Sequence, residues 1–305
     1  KNRSGETILE LSSSNSSEIE RNGWQKPIEF SVKARDNKTN LYGIMYIPSF
    51  YNENEKYPVL NYIYPGPQSG SVGNYSFVVA RRDFQALAEL GFVIVSVDAM
   101  GTPGRSKSFH DVYYGNMGDN GLPDNITTIE QLSKKYKSMD LSRVGIWGHS
   151  GGGFASTAAL LRYPDFYDVA VSSSGNHDNR NYEADWGEKW HGLLTPIDLN
   201  SSDGKSDFDS TKTNYDIQAN QLLVENLKGK LLIAHGMLDD NVPPSNTMVV
   251  VDALIKANKD FDLLLFPNKR HGYGDLSNYM MRRKWDFFVK HLKGLDPPKN
   301  FSFDN

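Results

Sequence analysis

The chain of 305 residues contains no cysteine. Disulfides, thiolate-bound metals and cysteine nucleophiles are therefore excluded. An excess of positive charge is also missing, because 33 basic residues against 37 acidic ones leave a formal net charge of −4. Nucleic-acid-binding domains usually carry a basic patch and a high isoelectric point, so no nucleic-acid partner is expected. Long apolar runs are absent too: mean hydropathy is −0.54, and no stretch approaches the roughly 20 apolar residues of a transmembrane helix. What is present is the composition of an ordinary globular protein, 38% hydrophobic and 23% charged.

Residues 1–26 are polar and rich in Ser and Asn, with Ile8, Leu9 and Leu11 as an apolar cluster. This stretch reads as a leader or linker that packs weakly. The chain opens at Lys1 without an apolar signal region, the pattern expected of a mature or truncated product. Two alternating runs follow, 28–35 and 41–48, separated by the turn-forming pair Asp36-Asn37, which predicts a β-hairpin.

Short apolar runs then alternate with helical patterns. The runs cover 59–64, 92–98, 144–148, 169–173, 231–235 and 261–266; the helical patterns cover roughly 78–90, 126–136, 152–163, 245–257 and 278–292. Strands buried on both faces read as continuous apolar runs, and intervening helices make right-handed crossovers. The fold class is α/β, with a mostly parallel central sheet and helices on both faces over residues 27–305. Between about 175 and 214 this rhythm fades. The aromatic half of that insertion, with Trp186 and Trp190, is expected to be a lid, and 201–212 a solvated loop. The charged run Arg81-Arg82-Asp83 reads as the solvated face of a helix.

Gly148-His149-Ser150-Gly151-Gly152 stands between a strand and a helix. A serine in such a turn adopts a strained backbone, so its flanks must be small; this is the nucleophile-elbow pattern of α/β-hydrolases. A hydroxyl becomes a nucleophile only when a base takes its proton, and the base needs an orienting carboxylate. In this fold the order is Ser, then Asp or Glu, then His, each after a later strand. The strand 231–235 runs into Gly236-Met237-Leu238-Asp239-Asp240-Asn241-Val242, and the last strand into Pro267-Asn268-Lys269-Arg270-His271-Gly272.

Seven histidines compete for the base role. His110 precedes the elbow, and His149 is adjacent to Ser150 and cannot fold back onto it. His235 closes a strand, where structural hydrogen bonds are expected. His177 and His191 lie in the insertion, and His291 lies in the last helix. His271 alone follows the final strand in a glycine-flanked loop. For the acid, Asp239 is favoured over Asp240. Asp178, Asp185, Glu188 and His191 cluster in sequence but lack the two-histidine helix spacing of zinc hydrolases, so neither a metal nor any other cofactor is expected.

Taken together, the segment from Tyr57-Pro58 to Tyr64-Pro65-Gly66-Pro67, the elbow in Gly145-Ile146-Trp147-Gly148-His149-Ser150-Gly151-Gly152, the run from His235-Gly236 to Asn241-Val242, and His271-Gly272 resemble the catalytic domain of the prolyl oligopeptidase family, in its dipeptidyl peptidase IV-like branch. The resemblance covers about residues 28–293. It implies a serine peptidase that releases short N-terminal fragments from peptides, frequently after proline. Ser150, Asp239 and His271 match the triad, and Tyr64 matches the tyrosine that binds the oxyanion alongside the Gly151 amide. Asn241 matches a residue that hydrogen-bonds the substrate backbone, and Val242 keeps an expected apolar character. Counting back from Trp190-His191-Gly192 places Tyr182 and Trp186 where the family has pocket tyrosines. Asn176 and Asn179 fall where the branch has apolar or aromatic residues, a departure that bears on proline preference.

Residues 1–26 resemble the end of the β-propeller that precedes this domain in the family, and export to the periplasm or outside the cell is the family expectation. The oligomeric state stays open, a homodimer included. Two alternatives use the same machinery or none: a carboxylesterase, since acyl transfer to water does not fix the substrate, and a silent hydrolase-fold binding module.

Overall fold

The protein was analysed as a computed structural model that describes residues 1–13, 15–73, 81–198 and 208–303. Its strands are β1 (Ile28–Lys33), β2 (Asn40–Tyr46), β3 (Tyr57–Tyr62), β4 (Val93–Asp98), β5 (Met139–His149), β6 (Val169–Ser173), β7 (Pro196–Asp198), β8 (Phe208–Thr213), β9 (Lys230–Gly236) and β10 (Asp262–Phe266). The helices are α1 (Ser17–Arg21), α2 (Phe84–Glu89), α3 (Lys107–His110), α4 (Leu122–Lys135), α5 (Gly151–Arg162), α6 (Ala184–His191), α7 (Ser245–Lys256) and α8 (Ser277–Phe288).

Eight strands form one sheet in the order β1-β2-β4-β3-β5-β6-β9-β10. The β1–β2 hairpin and the β2–β4 pair are antiparallel, and the remaining neighbours are parallel. Successive side chains of a strand point to opposite faces, and the apolar runs supply a core to each. Val144, Ile146, Ala170, Leu231 and Ile233 face α4, α5 and α7, meeting Leu132, Phe154, Leu161 and Leu254. Trp147, Val171, Leu232 and Ala234 face the other way, against Phe84, Met280 and Phe288 of α2 and α8. Each large apolar side chain so buried contributes about 1.5–3 kcal/mol. The chain moves outward from β3 to β4 and then back across to β5, so the strand order reverses between β3 and β5. The carboxyl ends of strands flanking such a reversal open into a crevice, and Tyr64 and Ser150 follow those two strands.

Several expectations are corrected. Arg81-Arg82-Asp83 is not a helix face, since α2 begins at Phe84; Arg82 is exposed, but the Asp83 carboxylate is only slightly exposed, paired with Lys284 at 2.7 Å and accepting the Trp285 indole N–H at 2.7 Å. The Asp83 charge is drawn largely out of solvent because α8 brings a matching cation and donor; the guanidinium of Arg82 lies over the Tyr62 ring. The first residues of that helical pattern, 78–80, lie outside the described residues. Likewise, of the loop expected over 201–212, residues 208–212 belong to β8, which pairs antiparallel with β7; the rest of it lies outside the described residues. A short polar hairpin has no apolar alternation to reveal it. At the amino end, Ile8, Leu9 and Leu11 are exposed, and α1 buries no residue.

Candidate active site

Ser150 sits between β5 and α5 with φ 59° and ψ −124°, a backbone state that costs an L-residue about 1–3 kcal/mol. The turn closes only because its neighbours lack side chains. A Cβ on Gly148 would stand 2.6 Å from Gly152 Cα, and one on Gly152 would stand 2.3 Å from the Ile63 carbonyl oxygen. The Ser150 amide donates to the Ser173 carbonyl at 2.8 Å, pinning the turn to β6. Gly151 opens α5, where backbone N–H groups have no partner within the helix and the dipole favours negative charge.

Tyr64 faces this helix end. A Cβ built on Gly151 would lie 3.7 Å from the Tyr64 hydroxyl oxygen, so the phenol and the Gly151 backbone flank one space. The Tyr64 hydroxyl shares the cleft with Ser150 and accepts from Gln68 Nε2 at 2.9 Å. Ser71 fixes its backbone, with Oγ receiving the Tyr64 amide at 2.8 Å and donating to the Tyr64 carbonyl at 3.1 Å. Burial raises the Tyr64 pKa, partly offset by the neighbouring Ser150 hydroxyl, so the phenol keeps its proton.

Asp239 and His271, from the loops after β9 and β10, meet at the carboxyl end of the sheet. Asp239 is buried after β9; Oδ1 accepts the amides of Asn241 and Val242 at 3.0 and 2.9 Å. Its Oδ2 lies 2.7 Å from His271 Nδ1, so Nδ1 carries the proton and Nε2 is left as the acceptor. Asp240 instead pairs with Arg270 at the surface. His235 has the structural role expected: Nε2 donates to the Val242 carbonyl at 2.9 Å, and Nδ1 is bound to Thr247 Oγ1 at 2.7 Å. Its Nε2 also lies 3.3 Å from Asp239 Oδ2, adding a donor to that carboxylate.

Ser150, His271, Tyr64, Tyr182, Trp186 and Asn241 line one cleft of about 520 Å³. Tyr182 is extended ahead of α6 rather than on it, and its ring meets Trp186 edge-on with centroids 5.4 Å apart. The Tyr182 hydroxyl donates to Asn241 Oδ1 at 3.3 Å; burial pushes its pKa up to about 12. Val242 is the exception among the expected substrate contacts. It is fully buried and does not line the cleft; its amide serves Asp239 instead.

The cleft also takes in Trp190 and His149, which the sequence reading left out of the site. The four-residue spacing of Trp186 and Trp190 on α6 is a usable signal for Trp190. Nothing local marked His149, whose contacts come from distant loops. Asn176 and Asn179 do not reach the cleft. They are buried against each other, Asn176 Nδ2 to Asn179 Oδ1 at 2.7 Å, and Asn179 binds Gln218. Asp178 is tied to Arg180 at 2.7 Å and His191 to the Asn214 carbonyl at 2.8 Å. Among the described residues no three His, Asp or Glu side chains come together as metal ligands.

A model of the prolyl oligopeptidase family, Peptidase S9, matches residues 78–295. Human dipeptidyl peptidase 8 is 30% identical over 234 residues, covering 76% of this chain and 24% of that protein. A probable dipeptidyl-aminopeptidase B from Botryotinia fuckeliana is 32% identical over 227 residues, covering 73% and 23%. The chain thus spans about a quarter of the length of these curated relatives. Among solved structures, dipeptidyl peptidase 4 of Porphyromonas gingivalis superimposes with a TM-score of 0.76 at 27% identity, over 92% of this chain and 38% of that one. A putative dipeptidyl aminopeptidase IV from Bacteroides ovatus gives 0.77 at 26%, over 88% and 36%. With the elbow, the strand order and these likenesses in agreement, the chain has the α/β-hydrolase fold and belongs to the prolyl oligopeptidase family, on its dipeptidyl peptidase IV-like side.

Proposed function

We propose that this chain is the catalytic part of a dipeptidyl-peptidase-like serine peptidase acting on short peptides. The observation that carries the reading is the single cleft where the strained Ser150, the Asp239-bound His271 and the Tyr64 phenol converge. His271 Nε2 takes the proton of Ser150 Oγ as that oxygen attacks the scissile carbonyl. Asp239 holds the imidazole tautomer and stabilises the imidazolium. The Tyr64 hydroxyl and the Gly151 N–H donate to the oxyanion of the tetrahedral intermediate. His271 then protonates the leaving amine, and water repeats the sequence on the acyl-enzyme to free Ser150.

The faces of Tyr182 and Trp186 suit a pyrrolidine ring, which buries apolar area without needing hydrogen bonds. Asn241 Oδ1 is occupied by Tyr182, so its Nδ2 is the group offered to a substrate carbonyl. Release of dipeptides is the activity named for the relatives, and a propeller of which residues 1–26 would be the end is our proposal for what selects fragment length.

The test compares an Xaa-Pro anilide with a simple aryl ester, and includes labelling by a fluorophosphonate. Anilide turnover that is lost in Ser150→Ala supports the peptidase. Turnover of the ester alone, repeated with the protein at full length, would replace it with an esterase; an unlabelled Ser150 would replace it with a binding module.

A further inference from the structure

His149 precedes the nucleophile, yet its ring lies against the ring of His271, with centroids 4.5 Å apart and planes inclined at 56°. Its Nδ1 is bound to Ser173 Oγ at 2.8 Å, at the end of β6. Ser173 Oγ is in turn hydrogen-bonded to the Tyr273 hydroxyl at 2.6 Å, and that hydroxyl lies 3.2 Å from Ser174 Oγ. Tyr273 belongs to the loop that carries His271, two residues further on. It is buried in the left-handed region at φ 59° with its ring against Phe266. The wall beside the base and the anchor of the base's loop are therefore joined through one serine, on the same residue whose carbonyl receives the Ser150 amide.

Packing alone does not hold this wall. Behind His149 lies a second cavity of about 380 Å³, lined also by Trp147, Ser173, Tyr273 and Met280. With that space on one side, the His149 ring is held by its Ser173 hydrogen bond together with its contacts to the rings of His271 and Tyr273.

We propose that His149 is a positioning residue for His271, and that the Ser173–Tyr273 pair fixes ring and loop together so that the base meets Ser150 in one orientation. This rests on the reading of Ser150, Asp239 and His271 as the reacting groups. His149 suits the role because it stays uncharged: burial, then the nearby His271 and Arg82, lower its pKa to about 3, with Asp239 opposing and His235 adding slightly. When His271 becomes an imidazolium, its neighbour brings no second positive charge.

The test uses Tyr273→Phe and Ser173→Ala, each removing one oxygen, and His149→Phe, which keeps a ring. Displacement of a reacting group costs on the order of 10- to 100-fold in rate. In Tyr273→Phe and Ser173→Ala that loss is expected in kcat, with KM within about twofold, since neither residue lines the substrate cleft. Groups acting as one unit are not additive, so the Ser173→Ala/Tyr273→Phe double variant is expected to lose no more than the worse single one. The low-field proton resonance of His271 Nδ1–H is expected to shift or broaden in all three. A merely structural role would lower the melting temperature and leave that resonance and kcat alone.

Variants with unchanged kcat and resonance, or losses that multiply, would overturn the proposal. If Tyr273→Phe does not fold, Ser173→Ala carries the same comparison. Should the unaltered protein show neither turnover nor labelling, the function fails. The resonance still judges this inference, against it if unmoved and for it if shifted.

Discussion

Gly236 and Arg270 touch backbone to backbone: a Cβ on Gly236 would lie 2.4 Å from the Arg270 carbonyl oxygen. The loop bearing Asp239 is thereby laid against the loop bearing His271, and the Leu238 amide reinforces it by donating to the Lys269 carbonyl at 2.9 Å. Gly236→Ala should push the loops apart. Overpacking of this kind costs about 1–3 kcal/mol, which a urea titration would read, and kcat should fall more than the stability loss alone would explain. Normal kcat in a folded Gly236→Ala protein would show that the contact does not set the distance from Asp239 to His271.

The two adjacent aspartates separate cleanly. Asp239→Asn keeps the shape but favours the wrong imidazole tautomer, and a drop of about 10⁴ in kcat is expected by analogy with other triads. Asp240→Asn removes only an exposed pair with Arg270 and should leave kcat within about twofold, since such pairs contribute little. Reversed effects would exchange their roles.

Tyr64→Phe removes one oxyanion donor, worth about 2.7–4 kcal/mol, or 10²- to 10³-fold in kcat. Because burial raises the phenol's pKa, the hydroxyl remains protonated as pH climbs toward 10. The kcat profile of the unaltered protein should therefore show no alkaline fall arising from Tyr64, and the profile of Tyr64→Phe should differ in height but not in shape on that side.

Trp186→Ala opens the aromatic pocket beside Tyr182. A hydrophobic subsite discriminates by about 1–3 kcal/mol, so kcat/KM for an Xaa-Pro anilide should fall at least about tenfold. An acetyl aryl ester, which leaves that subsite empty, should react almost as before. Equal losses on both substrates would place Trp186 outside the proline subsite.

His177 is fully buried, with Nδ1 against Asn220 Nδ2 at 3.1 Å. Burial, and then the neighbouring His235, lower its pKa from 6.5 to about 3. Between those values the unfolded chain binds a proton that the folded one refuses. The stability is thus fully present above about pH 6.5 and lost progressively as pH falls toward 3. In His177→Asn, proton uptake on unfolding at pH 5 should be smaller by about one, measured from the slope of unfolding free energy against pH. An unchanged slope would mean that His177 is already charged in the native protein.

Much of the site was legible because its chemistry sits where strands end. Ser150, Asp239 and His271 each follow an apolar run, and glycines mark the turns that bring them to one rim. What escaped notice was made by contacts across the chain. Nothing in the sequence near Asp83 announces Lys284 and Trp285, some 200 positions away. Val242 was given to the substrate, although its amide is needed by Asp239. Trp190 serves in the sequence only as the point from which Tyr182 and Trp186 are counted, and its place in the cleft depends on how α6 packs. In the sequence His149 shows only its adjacency to Ser150, while the residues it touches, His271 and Ser173, arrive from after other strands.

Periodicity and turn chemistry are local, and they alone determined the α/β class, the elbow and the order in which Ser150, Asp239 and His271 follow strand ends. Distances between loops are not local. Which aspartate faces the imidazole, which aromatic rings close the cleft and what supports the base were decided only when parallel strands set β5, β6, β9 and β10 side by side. Hydrogen bonds across that rim join residues up to a hundred positions apart, and no window of sequence spans them.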